Sequence, residues 1–132
     1  MEKGVPVDIH AAFEQLTFLP TRTPESHGSE PETFAGRLSD YREGGVFVAH
    51  WAGLGEWERH LVGDEIVMIL EGSATVYLVQ DGRETSMPLS KGQLVVVPQN
   101  TWHRLSSDDV KILTVTPRPT EHQVEFPGDP ID

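Results

Sequence analysis

Between Gly36 and Val115 the chain alternates short apolar runs with turns that contain glycine. The runs are rich in β-branched residues: Val46–His50, Glu65–Leu70, Thr75–Val79, Leu94–Val97 and Val110–Val115. Five glycines recur between them every nine or ten residues: Gly53, Gly63, Gly72, Gly82 and Gly92. Short strands with a turn signal between each are typical of an antiparallel sandwich or barrel. The pattern therefore predicts an all-β fold.

Local signals predict several turns and one short helix. Asp81-Gly82 lies between two apolar runs and predicts a hairpin, since glycine accepts a positive φ. Gly44-Gly45 is expected to open the first strand of the body, and Asn100 suits a turn after Pro98. In the segment Asp8–Leu16, an aspartate precedes apolar residues at helical spacing, which predicts a helical turn.

Proline divides the chain into a body and two ends. Of ten prolines, only Pro88 and Pro98 lie between Gly36 and Val115. Because proline removes a backbone donor, central strands avoid it. We therefore predict an N-terminal arm over residues 1–35, a barrel over 36–116 and a C-terminal tail over 117–132.

Composition narrows the classes of function. The 132 residues include 21 acidic and 10 basic side chains, for a net charge of −11, and no cysteine. The acid excess argues against binding to nucleic acid or anionic membranes, and the missing cysteine excludes disulfides and thiolate metal sites. No secretory signal is visible at the start, and no apolar run is long enough to span a membrane. A cytoplasmic, single-domain protein is expected.

Two segments carry residues suited to metal chemistry. In 57–72 (WERHLVGDEIVMILEG), Glu58 and His60 are two positions apart and so share one face of a strand. A turn at Gly63-Asp64 then allows Glu65 to return beside His60. In 92–104 (GQLVVVPQNTWHR), His103 follows the turn and is their natural remote partner. Imidazoles and carboxylates together form a ligand set for first-row divalent metals.

Together the two segments resemble the motifs of the cupin superfamily, in particular its small single-domain microbial members with an RmlC-like barrel. Glu58, His60, Glu65 and Gly72 stand at the spacing of the first motif, and Gly92, Pro98 and His103 at that of the second. Three departures are visible. Gly53 lies one residue closer to the first ligand position than the motif requires. Glu58 replaces the first histidine ligand, and Asn100 replaces a glycine, a small change because asparagine also tolerates the left-handed conformation.

The resemblance implies a double-stranded β-helix (jelly-roll) barrel with a pocket inside, and a metal held by Glu58, His60, Glu65 and His103. A site with two histidines and two glutamates would favour Mn or Fe over Cu, with Ni and Zn also candidates. Three arrangements stay open for Glu58. It binds the metal, or it turns toward Arg59 or Arg104 and leaves three ligands, or no metal binds and Glu58 shares a proton with Glu65.

Two functions follow from this resemblance. The first is a metal-dependent enzyme acting on a small organic molecule, as a dioxygenase, isomerase or lyase. The second is a metal-free cupin that binds or senses a small ligand without catalysis, since the fold hosts both kinds. A homodimer is expected as well.

The alternation along a strand also predicts which way the side chains beside the predicted ligands point. Because neighbours of inward residues point outward on a strand, Trp57 and Trp102 are expected on the outside of the barrel or at a dimer contact. Four residues are candidates for lining the interior, although ordinary core packing is the favoured interpretation: Val67, Ile69, Thr75 and Tyr77. The remaining histidines (His10, His27, His50 and His122) match neither motif, and a place for His122 over the barrel mouth is the less favoured interpretation.

Overall fold

The computed structural model describes residues 3–26 and 33–128, so His27 lies outside the described residues. Within these described residues, one short helix, α1 (Ile9–Glu14), and a 3-10 turn (Pro24–Ser26) accompany nine strands. The strands are β1 (Leu19–Arg22), β2 (Ala35–Tyr41), β3 (Gly44–Leu54), β4 (Trp57–His60), β5 (Glu65–Gln80), β6 (Arg83–Ser90), β7 (Leu94–Val97), β8 (Trp102–Pro117) and β9 (Thr120–Gln123). The all-β prediction is confirmed.

The nine strands form one sheet that is organised around the long strand β8. Strand β5 pairs with β8 along most of its length, from Ile66 opposite Val115 to Val79 opposite Trp102. Strand β3 pairs with the other edge of β8, and β4 pairs with its beginning, where Glu58 is opposite His103. Strands β6 and β7 extend the sheet beyond β5, and β2 extends it beyond β3. This is the predicted jelly-roll arrangement.

The turns follow the local signals. Asp81 and Gly82 both have positive φ, 54° and 75°, and close the hairpin between β5 and β6. Asn100 has φ 62°, and its backbone N–H donates a hydrogen bond to the backbone carbonyl of His60. Strand β3 begins at Gly44, and the Asp8 carboxylate accepts a hydrogen bond from the Ala11 amide at the start of α1. Each of these predictions is confirmed.

Strand β5 merges two predicted strands, and its inward face changes sides in the middle. Glu65, Val67 and Ile69 are buried, but beyond Gly72 the buried residues are Ala74, Val76 and Leu78. The register with β8 shifts twice around Gly72, which has φ 78°. Since an extra residue at a bulge reverses the alternation, the even positions face inward afterwards.

Thr75 and Tyr77, which were expected inside, therefore lie on the half-exposed side of β5, and that expectation is wrong. The expectation holds for Val67 and Ile69, which are almost fully buried in the main core.

Both ends of the chain contribute strands to the sheet. Strand β1 pairs in parallel with β3, and β9 pairs with β4. Phe126 follows β9 and packs edge-on against the ring of Trp57, with centroids 5.8 Å apart. Both β1, in the predicted arm, and β9, in the predicted tail, thus pack against strands of the barrel.

The outer face of the sheet is aliphatic across four neighbouring strands. In one row Val96, Ile66, Val115 and Val46 lie opposite one another, and in the next row Leu94, Met68, Leu113 and Val48 do so. Helix α1 covers one end of this face through Phe13, whereas Leu94 and Val96 remain about half exposed. Among the described residues, no helix is long and apolar enough to cross a membrane.

Candidate metal centre

The short strand β4 places two of the predicted ligands side by side with β8 and β9. Glu58 is opposite His103 on β8 and opposite His122 on β9. Residues directly opposite in a sheet point to the same face, so these three side chains form a row. His60 lies two positions along β4, in the next row, opposite Thr120.

Glu65 reaches the same point from strand β5. Its Oε1 lies 2.8 Å from His103 Nε2 and 3.3 Å from His60 Nε2. One carboxylate oxygen of Glu58 and one nitrogen from each of His60 and His103 all lie within 4.8 Å of one another. The structure therefore brings together all four residues that the sequence singled out.

Both imidazoles are held by their outer nitrogens. His103 Nδ1 donates to the carbonyl of Thr101 at 3.0 Å, and His60 Nδ1 lies 2.9 Å from the hydroxyl of Thr120. Their Nε2 atoms consequently face the centre, where His60 Nε2 is buried and has no hydrogen-bond partner among the described residues. A second partner on the far nitrogen is how proteins orient imidazoles that bind metals.

Glu65 is the carboxylate that contacts both histidines, and a hydrogen bond from a neighbouring threonine orients it. The Thr116 hydroxyl donates to Glu65 Oε2 at 2.6 Å, and Thr114 Oγ1 lies 2.9 Å from the same hydroxyl. Burial raises the pKa of the Glu65 carboxyl, but the hydrogen bond with His103 and the nearby imidazole of His60 together outweigh it and lower that pKa to about 2. The carboxylate is charged at neutral pH.

His103 responds in the opposite sense. Burial lowers the pKa of its imidazole. The hydrogen bond to Glu65 and the charge of that carboxylate raise the pKa by more than burial lowers it, so the net shift is upward. Without a cation, a proton therefore stabilises the contact between His103 and Glu65. A divalent metal would take the place of that proton.

Glu58 lies at the edge of the centre and faces the third strand. Its Oε2 is 3.6 Å from His122 Nδ1, and its side chain keeps 27% of its exposure. The two arginines that were candidate partners for it have other contacts. Arg59 binds Glu121 at 2.6 Å, and Arg104 stacks over the ring of Trp57 at 4.3 Å.

Two residues of the pocket, Glu56 and His122, were not among the predicted site residues. Glu56 is buried, and its Oε1 lies 2.7 Å from His122 Nδ1. Glu56, Glu58 and His60 alternate along the chain, so the same-face rule extended by one step would have included Glu56. His122 carries no local signal, because its place depends on the pairing of β9 with β4.

A cavity of about 280 Å³ opens beside the cluster, and Glu58, Glu65 and His103 line it. His122 also lines the cavity, which agrees with the less favoured interpretation that it lies over the barrel mouth. Neither Trp57 nor Trp102 lies among the described lining residues, as expected. Trp57 is nevertheless fully buried, because Phe126 and Arg104 cover it.

Comparison with protein families gives one match over most of the barrel. Residues 46–117 match the model of the family described as the Cupin domain. The match includes Glu58, His60, Glu65 and His103, but it excludes β1 and β9. The comparison with curated proteins gives no significant match.

Solved structures share the fold at low sequence identity. A cupin-2 domain protein from Shewanella frigidimarina is 20% identical over 64% of this chain and 79% of its own, with a TM-score of 0.55. A conserved protein of unknown function from Streptococcus pyogenes is 20% identical over 90% of this chain and 91% of its own, with a TM-score of 0.58. The oxalate decarboxylase of Lactobacillus farciminis, in a formate complex, is 17% identical over 59% of this chain but 26% of its own, with a TM-score of 0.53.

Proposed function

Because this chain belongs to the Cupin domain family, we propose that it binds one divalent metal in its barrel and acts on a small organic molecule. Glu58, His60, Glu65 and His103 would hold the metal. When bound there, the metal would supply Lewis-acid or oxygen-activating chemistry to a ligand in the adjoining cavity. A reaction of the dioxygenase, isomerase or lyase type is compatible with such a centre.

One observation carries the proposal: three buried acceptor atoms converge, and their outer partners are already in place. Thr101, Thr120 and Thr116 hold His103, His60 and Glu65 from behind. A neutral His103 that donates through Nδ1 directs its Nε2 lone pair at Glu65 Oε1, 2.8 Å away. Two lone pairs at that distance repel unless a proton lies between them or both atoms bind one metal ion.

The nature of the ligands favours a hard or borderline metal. Two imidazoles with two carboxylates suit Mn, Fe, Ni or Zn, and the two anionic oxygens favour Mn and Fe over Cu. Because the cavity beside the cluster is only about 280 Å³, the molecule that reaches the metal must be small.

The test is a calorimetric titration of the chelator-treated protein with Mn²⁺. We expect about one ion per chain in the wild type and loss of binding in His60→Ala/His103→Ala. The matched control is His10→Ala/His50→Ala, which also removes two histidines; His10 is exposed and His50 pairs with Asp109 on the surface. Equal uptake by the wild type and by the first variant would contradict the proposal.

A metal-free binding protein is the second candidate, and the Glu65–His103 contact favours it. When His103 is protonated, the two side chains form an ion pair that needs no bound cation. Restoring the family's histidine with Glu58→His separates the two candidates. If Mn²⁺ uptake rises from none to about one ion per chain, the native site is a degenerate one and the metal-free function is correct.

A further inference from the structure

Strand β4 supplies two of the four proposed ligands, and a strand outside the family match holds it in place. The match ends at residue 117, whereas β9 spans Thr120–Gln123. Among the described residues, every residue of β4 is opposite a residue of β9, but Glu58 alone is opposite a residue of β8. Strand β9 ends the path of the sheet, with β4 as its neighbour. The position of β4 therefore depends on β9.

The inward face of β9 contacts both of the ligands that β4 carries. Thr120 is opposite His60, and its hydroxyl lies 2.9 Å from Nδ1 of that imidazole. His122 is opposite Glu58, and its Nδ1 lies 3.6 Å from the Glu58 carboxylate. Partners behind the ligands orient them toward a metal and tune its affinity. Strand β9 consequently supplies this support to half of the ligand set.

The outward side of β9, and the segment that follows it, hold the strand from the opposite face of the sheet. Because side chains alternate along a strand, Glu121 points away from the metal centre. Arg59 Nε on β4 donates to Glu121 Oε1 at 2.6 Å, and Phe126 packs edge-on against Trp57. Neither Glu121 nor Phe126 is among the described residues that line the cavity. These contacts fasten β9 without touching a metal or a ligand in the cavity.

The docking of β9 is open to adjustment because its outer contacts are partly exposed. The side chain of Glu121 is 44% exposed and that of Phe126 is 51% exposed. Short edge strands with few buried contacts open locally more often than the core does. An ion that needs the docked strand binds with an apparent affinity proportional to the docked fraction. By reciprocity, the bound ion must favour the docked strand by the same factor.

We propose that β9 controls metal affinity from the outer face of the sheet. Glu121 and Phe126 are positioning residues that dock β9, and they act on His60 through Thr120. This role rests on the proposed function, because it requires a metal at His60. Residues of the C-terminal tail, outside the family domain, thereby set how tightly the centre holds its metal.

The test measures Mn²⁺ affinity by calorimetry in Glu121→Lys/Phe126→Ala, which places a positive charge beside Arg59 and removes the ring contact. We expect binding about tenfold weaker than in the wild type, because the docked fraction of β9 falls. In a Thr120→Val background the same two substitutions should weaken binding by less than about threefold, since the contact through which docking acts is already lost. A tenfold loss in both backgrounds would overturn the route through Thr120.

The matched control is Glu71→Lys/Phe18→Ala. It also breaks an exposed ion pair, that of Glu71 with Lys91, and a ring contact, that of Phe18 with His50. Glu71 and Phe18 lie outside β4 and β9 and are not among the described residues that line the cavity. The Mn²⁺ affinity of this control should therefore stay within about twofold of the wild type. Circular dichroism checks that each variant is folded.

A second measurement needs only the wild type. Hydrogen exchange followed by mass spectrometry should show slower exchange in residues 120–123 when Mn²⁺ is bound, by at least about threefold. This result decides the question if the double variant does not fold. Unchanged exchange in β9, or equal Mn²⁺ affinity of the wild type and Glu121→Lys/Phe126→Ala, overturns this inference alone. Failure of the wild type to take up Mn²⁺ overturns the proposed function as well.

Discussion

The buried pair of Glu65 and His103 makes the stability of the metal-free protein depend on pH in a way that one double variant isolates. The Glu65 carboxyl has an ordinary pKa of 4.5, and the folded chain lowers this pKa to about 2. A lowered carboxyl pKa means that the unfolded chain binds the proton first as the pH falls. The stabilisation is therefore complete above pH 4.5 and is lost as the pH falls toward 2.

The size of the effect follows from the difference between the two pKa values. A difference of about 2.5 pH units corresponds to about 3 kcal/mol of unfolding free energy at neutral pH, and about 2 kcal/mol of this should disappear between pH 5 and pH 3. His103 contributes on the other side. Because its folded pKa is raised, its contribution is complete below its ordinary value of 6.5 and is lost as the pH rises through the folded value.

The assay is urea unfolding of the chelator-treated protein at pH 3, 5, 6 and 9, with Glu65→Gln/His103→Gln as the reference. Replacing both members avoids leaving one buried charge without its partner. The free energy of the wild type minus that of the variant should be largest near pH 5 to 6 and smaller at both ends. Parallel curves for the two proteins would refute the assignment of charge to this pair.

Three further outcomes are expected. Thr120→Val should weaken Mn²⁺ binding about 10- to 100-fold in calorimetry while the fold is kept, because the valine cannot hold His60 Nδ1; an unchanged affinity would remove Thr120 from the site. The affinity for Mn²⁺ should rise from pH 6 to pH 8, since the His103 proton must leave before the metal binds; a flat profile would contradict this. The exposed end of the aliphatic face, at Leu94 and Val96, should form the contact between two copies of the chain. Light scattering should therefore give twice the mass of one chain for the wild type and the mass of one chain for Leu94→Glu/Val96→Glu. A monomeric wild type would refute this expectation.

Much of the fold could be predicted because its signals are local. The Asp81-Gly82 hairpin, the turn at Asn100 and the capped helix at Asp8 each depend on a few neighbouring residues whose backbone preferences are strong. The side-chain direction along β5 was not predictable in the same way. The bulge around Gly72 reverses the alternation, and glycine alone does not distinguish a bulge from a turn between two strands.

The residues of the candidate site differ in the same way: some have local sequence signals, and others are placed by long-range strand pairing. His60, Glu65 and His103 stand at fixed spacing within two short segments, so their meeting could be predicted. His122 received only a less favoured place, because it reaches the site through the pairing of β9 with β4. Such pairings depend on long-range register, which spacing along the chain does not encode.

Metal binding by the cluster of Glu58, His60, Glu65 and His103 underlies the proposed function. Its most direct test is the metal content of the protein purified without chelator and without a metal-affinity resin, measured by mass spectrometry. We predict about one first-row divalent ion per chain in the wild type and close to none in His60→Ala/His103→Ala. Substoichiometric metal in the wild type that is unchanged in the double variant would contradict the claim.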